Sequence, residues 1–323
     1  MPLTKTCLLI TERFEPTADV LIAELRRRGV LFLRWNLNQF PLGSSLSYHL
    51  SNGSFGAEIS TDGRKLNLDS VASVWCRGFW PTGFPKDLGR AERKFAEEES
   101  QRALDGLITV TSALWINHPH NHLRANSKPA QLFVARQIGL EIPPTVITNE
   151  PGKVSSFVSQ TYGETVYKAL SQSLELDPGK ALFTGLVTQR ELLKLYLIRL
   201  SPGIFQVRVP KSYELRVTVV GSRLFVGKID SQSSNETRID WRHKPFEIDP
   251  EPIQLTPDIE AKIYALMKFF GLVYGALDFI VTPEGQHIFL EVNPAGQYMW
   301  VESKTGLPIT AALVDELSDP CLR

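Results

Sequence analysis

Residues 275–293 read GALDFIVTPEGQHIFLEVN, two apolar runs around a turn at Pro283-Glu284-Gly285-Gln286. Such runs around a Gly-containing turn mark a β-hairpin. With Glu284-Gly285 as a two-residue loop, Pro283 pairs with Gln286, and counting back sets Asp278 opposite Glu291. A four-residue loop shifts the pair but keeps both acids on one face, because strand side chains alternate. Asn293 lies two residues past Glu291 and points the same way. On this pairing Asp278 shares its face with Ile280, and Glu291 with Phe289.

Facing carboxylates repel. Either one is protonated or a cation sits between them. An Asp, a Glu and an Asn together present only hard oxygen donors, which suits magnesium. Magnesium leaves part of its shell to water and phosphate, so a nucleotide is expected beside the hairpin. The competing reading is a half-buried hairpin with both acids in water.

Upstream, a second hairpin spans Tyr213–Ser231 and turns at Gly221-Ser222. Pairing Val220 with Arg223 puts Glu214, Arg216 and Thr218 on one face. Glu214 and Arg216 either pair with each other or frame a nucleotide, acid to ribose and guanidinium to phosphate. Before them, Phe205-Gln206-Val207-Arg208-Val209-Pro210 is an extended apolar segment whose backbone could hydrogen-bond a flat base. Lys168 stands in the apolar strand TVYKAL, and Lys128 opens a helix over 127–138 that Gly139 stops. Both could face phosphates, since buried lysines need anions and helix starts attract them. Either could also snorkel to water. Asp240-Trp241-Arg242 lies in a polar stretch and reads by default as a solvated turn. His118, His120 and His122 alternate in an HPHNH segment that reads as an exposed loop, and zinc there would need a further partner.

The opening is β-α-β. A strand at 6–11 (TCLLIT) leads to a helix from Pro16 to Arg26-Arg27-Arg28, stopped by Gly29, and to a strand at 30–35. The loop TERFEPT lacks G-x-G-x-x-G, so no dinucleotide fingerprint is present. Small strands with turns at Asn52-Gly53 and Asp62-Gly63 follow, then a strand at Val71–Arg77 and a charged helix at 87–108. Next come strands at 145–148 and 165–170 around a helix at 151–160; beyond about 201 the chain reads as hairpins plus a helix at 257–270. A chain of 323 residues exceeds one compact core, and we divide it into lobes at 1–117, 118–200 and 201–323. Lys plus Arg equal Asp plus Glu at 35 each, so the basic surplus of a nucleic-acid binder is missing. Cys7, Cys76 and Cys321 are few, odd in number and scattered, which fits a reduced cytoplasmic protein. No apolar run is long enough to span a membrane.

On these residues the sequence resembles the ATP-grasp superfamily, specifically the graspetide synthetases of microviridin type, which macrocyclise ribosomal peptides. The resemblance covers nearly the whole chain. It implies an α/β fold of α+β lobes, an ATP-grasp fold behind an N-terminal Rossmann-like pre-ATP-grasp lobe. GALDFIVTPEGQHIFLEVNPAGQYMW (275–300) is similar to the family's magnesium segment, which puts the ligands on Asp278, Glu291 and Asn293. FQVRVPKSYELRVTVVGSRLFVGKIDSQ (205–232) resembles the adenine hinge and the hairpin after it. That implies adenine contacts around Gln206, Val207 and Val209, ribose contacts near Lys211 and Glu214, and Arg216 near the phosphates. Lys128 and Lys168 match the two phosphate-holding lysines. Asp240-Trp241-Arg242 matches the Asp-x-Arg motif, which displaces the solvated-turn reading and puts Arg242 at the transferred phosphoryl group and Asp240 near the peptide. Val74-Trp75-Cys76-Arg77 resembles the family's tryptophan-then-arginine strand, with Gly78 where relatives often carry a second arginine. LELDPGKALF (174–183) departs from the pattern and is expected to be a mobile loop over the nucleotide.

The implied reaction uses ATP and Mg2+ to turn an Asp or Glu side chain of a precursor peptide, leader plus core, into an acyl phosphate. A Ser or Thr hydroxyl or a Lys amine then displaces phosphate and closes a ring. Lys128, Lys168 and Arg242 offset the charge that would repel the incoming carboxylate. Asp240 is a candidate proton acceptor. Two other readings share the nucleotide residues: a RimK-like ligase adding an amino acid to a peptide or protein end, and a non-catalytic nucleotide-binding module. The resemblance further implies a homodimer, while the balanced charge and short apolar runs already argue against a nucleic-acid or membrane partner.

Overall fold

The computed structural model describes residues 5–171, 175–177, 180–181, 184–234, 237–243 and 248–318. Parallel strands Phe32–Asn36, Thr6–Thr11, Val71–Cys76 and Leu114–Ile116 lie side by side in that order. Helix Pro16–Arg27 follows the first strand. The Glu15 carboxylate accepts the Ala18 N–H at its start, and Arg26 and Arg27 sit in its last turn, as the helix dipole favours. The β-α-β opening is present, with its second strand beginning at Phe32, not Val30. An antiparallel sheet of Ser44–Ser51, Ser54–Thr61 and Arg64–Asn67 turns at Asn52-Gly53 and Asp62-Gly63, where Gly53 and Gly63 take φ of 95° and 70°. The charged helix runs over Arg90–Val110.

In the middle of the chain, Gly185–Leu186, Thr165–Lys168, Gly203–Val207 and Thr145–Thr148 form an antiparallel sheet in that order. Helices Lys128–Gln137 and Pro151–Gln160 accompany it. The histidine segment departs from the exposed loop expected of it. Pro119–Ala125 is a short helix, because Pro119 supplies the fixed φ of a first helical position and costs no hydrogen bond there. The loop expected over 174–183 lies largely outside the described residues; its described pieces, Glu175–Asp177 and Lys180–Ala181, pair antiparallel.

The last sheet is antiparallel, with Glu251–Pro252, Arg223–Ile229, Tyr213–Val220, Tyr274–Val281 and His287–Asn293 in that order. Leu215, Val217, Val219, Leu277, Phe279 and Val292 enter a core closed by Leu132 and Ala135 of helix Lys128–Gln137 and by Ile263, Leu266 and Phe270 of helix Pro257–Phe270. Burying each large side chain is worth about 1.5–3 kcal/mol, which holds this face shut and leaves the other for polar groups. The region after 201 holds more than hairpins and one helix, for Met299–Thr305 and Ile309–Ser318 are also helical. Ile309, Leu313 and Val314 share a core with Cys7, Leu9 and Leu21, so the last helix ties the two ends of the chain together. Among the described residues no helix is long and apolar enough to cross a membrane.

Candidate nucleotide and metal site

A cleft of about 550 Å3 lies between the polar face of the last sheet and the middle sheet. Lys128, Lys168, Asp278, Glu291, Asn293 and Arg242 are on its wall.

Asp278 stands opposite Glu291, as expected, but by a different route. The Thr282 N–H bonds Gln286 O at 3.0 Å and the Gly285 N–H bonds Thr282 O at 2.9 Å, closing a three-residue loop with Gly285 at φ 82°. That turn pairs Val281 with His287 and Phe279 with Phe289, one residue off the two-residue-loop count. A bulge then inserts Leu290 and restores Asp278 to Glu291. The two single-residue deviations cancel. The bulge also corrects the expected facing of Phe289. That ring packs in the core edge-on to Phe279, with centroids 5.5 Å apart, and Leu290 takes the cleft side beside Glu291.

The repulsion between the acids is relieved by flanking cations. Arg216 is the cross-strand neighbour of Asp278, and its Nη1 donates to both carboxylate oxygens at 3.0 and 3.1 Å. Lys128 Nζ donates to Glu291 Oε2 at 2.6 Å. Burial pushes the Asp278 carboxyl up, with Arg216 opposing. Burial also raises Glu291, but Lys128 and Lys168 together outweigh it and hold the group below the usual carboxylate range. Arg216, which the resemblance put near the phosphates, is bonded to Asp278 of the cleft wall and also donates to Gln297 O at 3.0 Å. A Cβ on Gly296 would come within 2.7 Å of that guanidinium, so the close approach requires glycine.

Lys168 faces the cleft with no ion-pair partner among the described residues, and burial lowers its pKa, with Glu291 opposing. Lys211 Nζ donates to Glu214 Oε1 at 2.6 Å and to Ile239 O at 3.2 Å, so Glu214 pairs with Lys211 and not with Arg216. Burial raises Glu214, while Lys211 works against it.

Gln206, Val207 and Val209 all line the cleft. The Gln206 side chain is committed to Thr145 Oγ1 at 3.0 Å, and the Val207 N–H to Pro144 O at 2.9 Å. The backbone N–H of Val209 has no partner among the described residues, which makes it the open donor of this segment.

Asp240 and Arg242 do not form a solvated turn. Trp241 between them is buried against Trp300, ring centroids 4.7 Å apart. That anchor aims both neighbours at the cleft. Arg242 Nε and Nη2 donate to Asp240 at 2.8 and 2.6 Å, and the Thr184 N–H reaches it at 3.3 Å. Burial raises Asp240, but the Arg242 bonds prevail and hold it at about 2. The Arg242 side chain is still 46% exposed, so its outer face is open to a ligand.

Arg77 donates to Ala295 O at 2.6 Å and to Gly296 O at 3.3 Å, and lies 3.5 Å from Glu15, so it clamps the first sheet to the loop after Asn293. Sequence reasoning missed Leu290, Arg238 and Gln131. Arg238 lines the cleft from a turn before Asp240, where neither a strand nor a helix period marks it. Leu290 enters through the bulge, which has no sequence mark. Gln131 is a polar residue on an otherwise apolar helix face, one turn after Lys128.

The donors fit a hard divalent cation. Asp278, Glu291 and Asn293 supply oxygens on one cleft face, and among the described residues no group of three His, Cys, Asp or Glu offers a rival site.

Residues 6–122 match the family described as the MvdD pre-ATP grasp domain. No curated protein sequence matches the chain. Macrocyclase MdnC of Microcystis aeruginosa MRC, solved bound with precursor peptide MdnA, is 33% identical, covers 97% of this chain and 99% of its own, and superposes with a TM-score of 0.86. A RiPP-associated ATP-grasp ligase of Chryseobacterium gregarium, in complex with ADP and a leader and core peptide, is 29% identical over 99% of this chain and 98% of its own, with a TM-score of 0.90. ATP-grasp ligase PsnB, complexed with minimal precursor, Mg and ADP, shares the fold at 18% identity, covering 96% of this chain and 98% of its own, with a TM-score of 0.75. The chain belongs to the ATP-grasp ligases, among the graspetide synthetases that macrocyclise ribosomal peptides.

Proposed function

We propose that this chain uses MgATP to phosphorylate an Asp or Glu side chain of a ribosomal precursor peptide and closes an ester or amide ring with a Ser, Thr or Lys. The observation that carries the reading is the convergence of Asp278, Glu291 and Asn293 with Lys128, Lys168 and Arg242 on one cleft. Asp278, Glu291 and Asn293 would hold the metal, which supplies charge neutralisation at the phosphate oxygens. Lys128 is then drawn from Glu291 toward phosphate, and Lys168 already lacks an ion-pair partner among the described residues. The free N–H of Val209 and the Lys211–Glu214 pair suit adenine and ribose, respectively.

In the first step the peptide carboxylate oxygen bonds to the γ-phosphorus, and the bridging P–O bond breaks to give ADP. In the second, the hydroxyl oxygen or amine nitrogen bonds to the acyl carbon, the acyl C–O bond breaks, and inorganic phosphate leaves as the nucleophile loses its proton. Arg242 offsets charge on the moving phosphoryl group. Asp240, held at about 2, is too weak a base for useful proton transfer at neutral pH and serves to orient Arg242. Arg216 acts through Asp278, which it orients.

The protein incubated with MgATP and a precursor peptide should release ADP and give a product lighter by one water per ring. Gain of an amino-acid mass indicates the RimK-like reaction instead, and tight ATP binding without ADP release indicates a binding module. We also propose a cytoplasmic homodimer; a monomer by light scattering overturns that part.

A further inference from the structure

His287–Asn293 is the edge strand of its sheet, and an edge strand presents backbone groups that need partners. Its bulge at Leu290 decides whether Glu291 faces the cleft, because a one-residue slip turns every side chain over. Two contacts flank that bulge. The Phe289 N–H bonds Glu141 O at 2.8 Å. On the other side, Gln131 docks its side-chain amide on Val292 like one residue of an added strand: Val292 N–H to Oε1 at 2.9 Å, and Nε2 to Val292 O at 2.8 Å. Gln131 Nε2 also donates to Ala125 O at 2.5 Å, and the residue is 2% exposed. Gln131 stands one turn after Lys128 on the same helix, so one rigid element grips the Glu291 side chain and the backbone of its neighbour.

From this we infer that Gln131 is a positioning residue: it locks the bulged register of the edge strand and thereby aims Glu291 and Asn293 into the cleft while tying them to the helix that carries Lys128. The inference rests on the proposed role of Glu291 and Asn293 as metal ligands, but the register lock itself does not.

Two substitutions test it. Gln131→Leu removes both bonds to Val292. Gln131→Glu keeps the acceptor and loses the donor. Hydrogen exchange read by mass spectrometry should speed up over 287–293 in both variants, with the helix at 257–270 unchanged. The Mg2+ concentration for half-maximal ADP release should rise roughly 10–100-fold, the usual effect of losing a group that orients a metal ligand, with the KM for peptide little altered. Gln131→Asn, with the same amide on a shorter stem, should recover part of the loss. Unchanged exchange over 287–293, or faster exchange spread evenly over the chain with an unaltered Mg2+ requirement, overturns the inference. If Gln131→Leu does not fold, Gln131→Glu decides by the same readouts. If the natural protein makes no ADP, the proposed function fails, and the exchange measurement alone decides whether Gln131 holds the register.

Discussion

Replacing Arg216 with methionine keeps most of the aliphatic stem and removes the guanidinium from the last sheet. Three hydrogen bonds go: two to Asp278 at 3.0 and 3.1 Å and one to Gln297 O at 3.0 Å. Asp278 has 18% of its side chain exposed and no second cation in hydrogen-bond reach among the described residues, so water from the cleft replaces Arg216 only in part. Removing one partner of a buried ion pair costs about 3–5 kcal/mol, since the remaining charge loses its compensation without regaining full hydration. Asp278→Asn alone should cost less, because it removes a carboxylate whose charge burial and Glu291 disfavour, and the guanidinium keeps its bond to Gln297 O. The double variant leaves neither charge and should be more stable than the sum of the single costs predicts by about 2 kcal/mol, within the range for contacting residues. Urea unfolding of all four proteins, followed by tryptophan fluorescence without nucleotide or metal, measures the cycle. An Arg216→Met cost below about 1 kcal/mol, or additive single costs, would mean that Arg216 is not committed to Asp278 and is free for the phosphate role the sequence assigned it.

Glu291→Gln should abolish ADP release with precursor peptide, by at least about 100-fold, while the protein stays folded by circular dichroism; the substitution is isosteric but removes a charged oxygen ligand. Retained turnover would refute the metal assignment. Asp240 is held at about 2, below the ordinary 3.8, so it contributes about 2 kcal/mol that is fully present above pH 3.8 and lost as the pH falls through 2. Asp240→Asn should therefore lower stability by about 2 kcal/mol at pH 7, with the gap to the natural protein closing between pH 4 and 2; a gap independent of pH would show that the Arg242 bonds do not set the Asp240 pKa.

Much of the fold was legible because local signals were strong. The strand Thr145–Thr148 and the helices Pro151–Gln160 and Pro257–Phe270 have the bounds that their patterns and flanking Pro and Gly residues predict. The helix at Pro119–Ala125 was missed because three histidines masked a proline start. For Asp240-Trp241-Arg242 the polar neighbours alone point to a solvated turn and only the family motif points elsewhere, since the burial of Trp241 depends on Trp300, far away in the chain.

The chemistry of the site was present in the chain itself, in the oxygen-bearing Asp278, Glu291 and Asn293 set into two apolar strands, but alternation alone did not bring the acids to one face: the three-residue loop turns Glu291 away and the bulge turns it back. Only the tertiary structure decided which charges meet. Arg216 went to Asp278, Lys128 to Glu291 and Lys211 to Glu214, while Lys168 was left without an ion-pair partner among the described residues. Arg216 meets Asp278 across two strands and Lys128 meets Glu291 between a helix and a strand, and the second of these contacts needs the bulge at Leu290, which no pattern along one strand encodes.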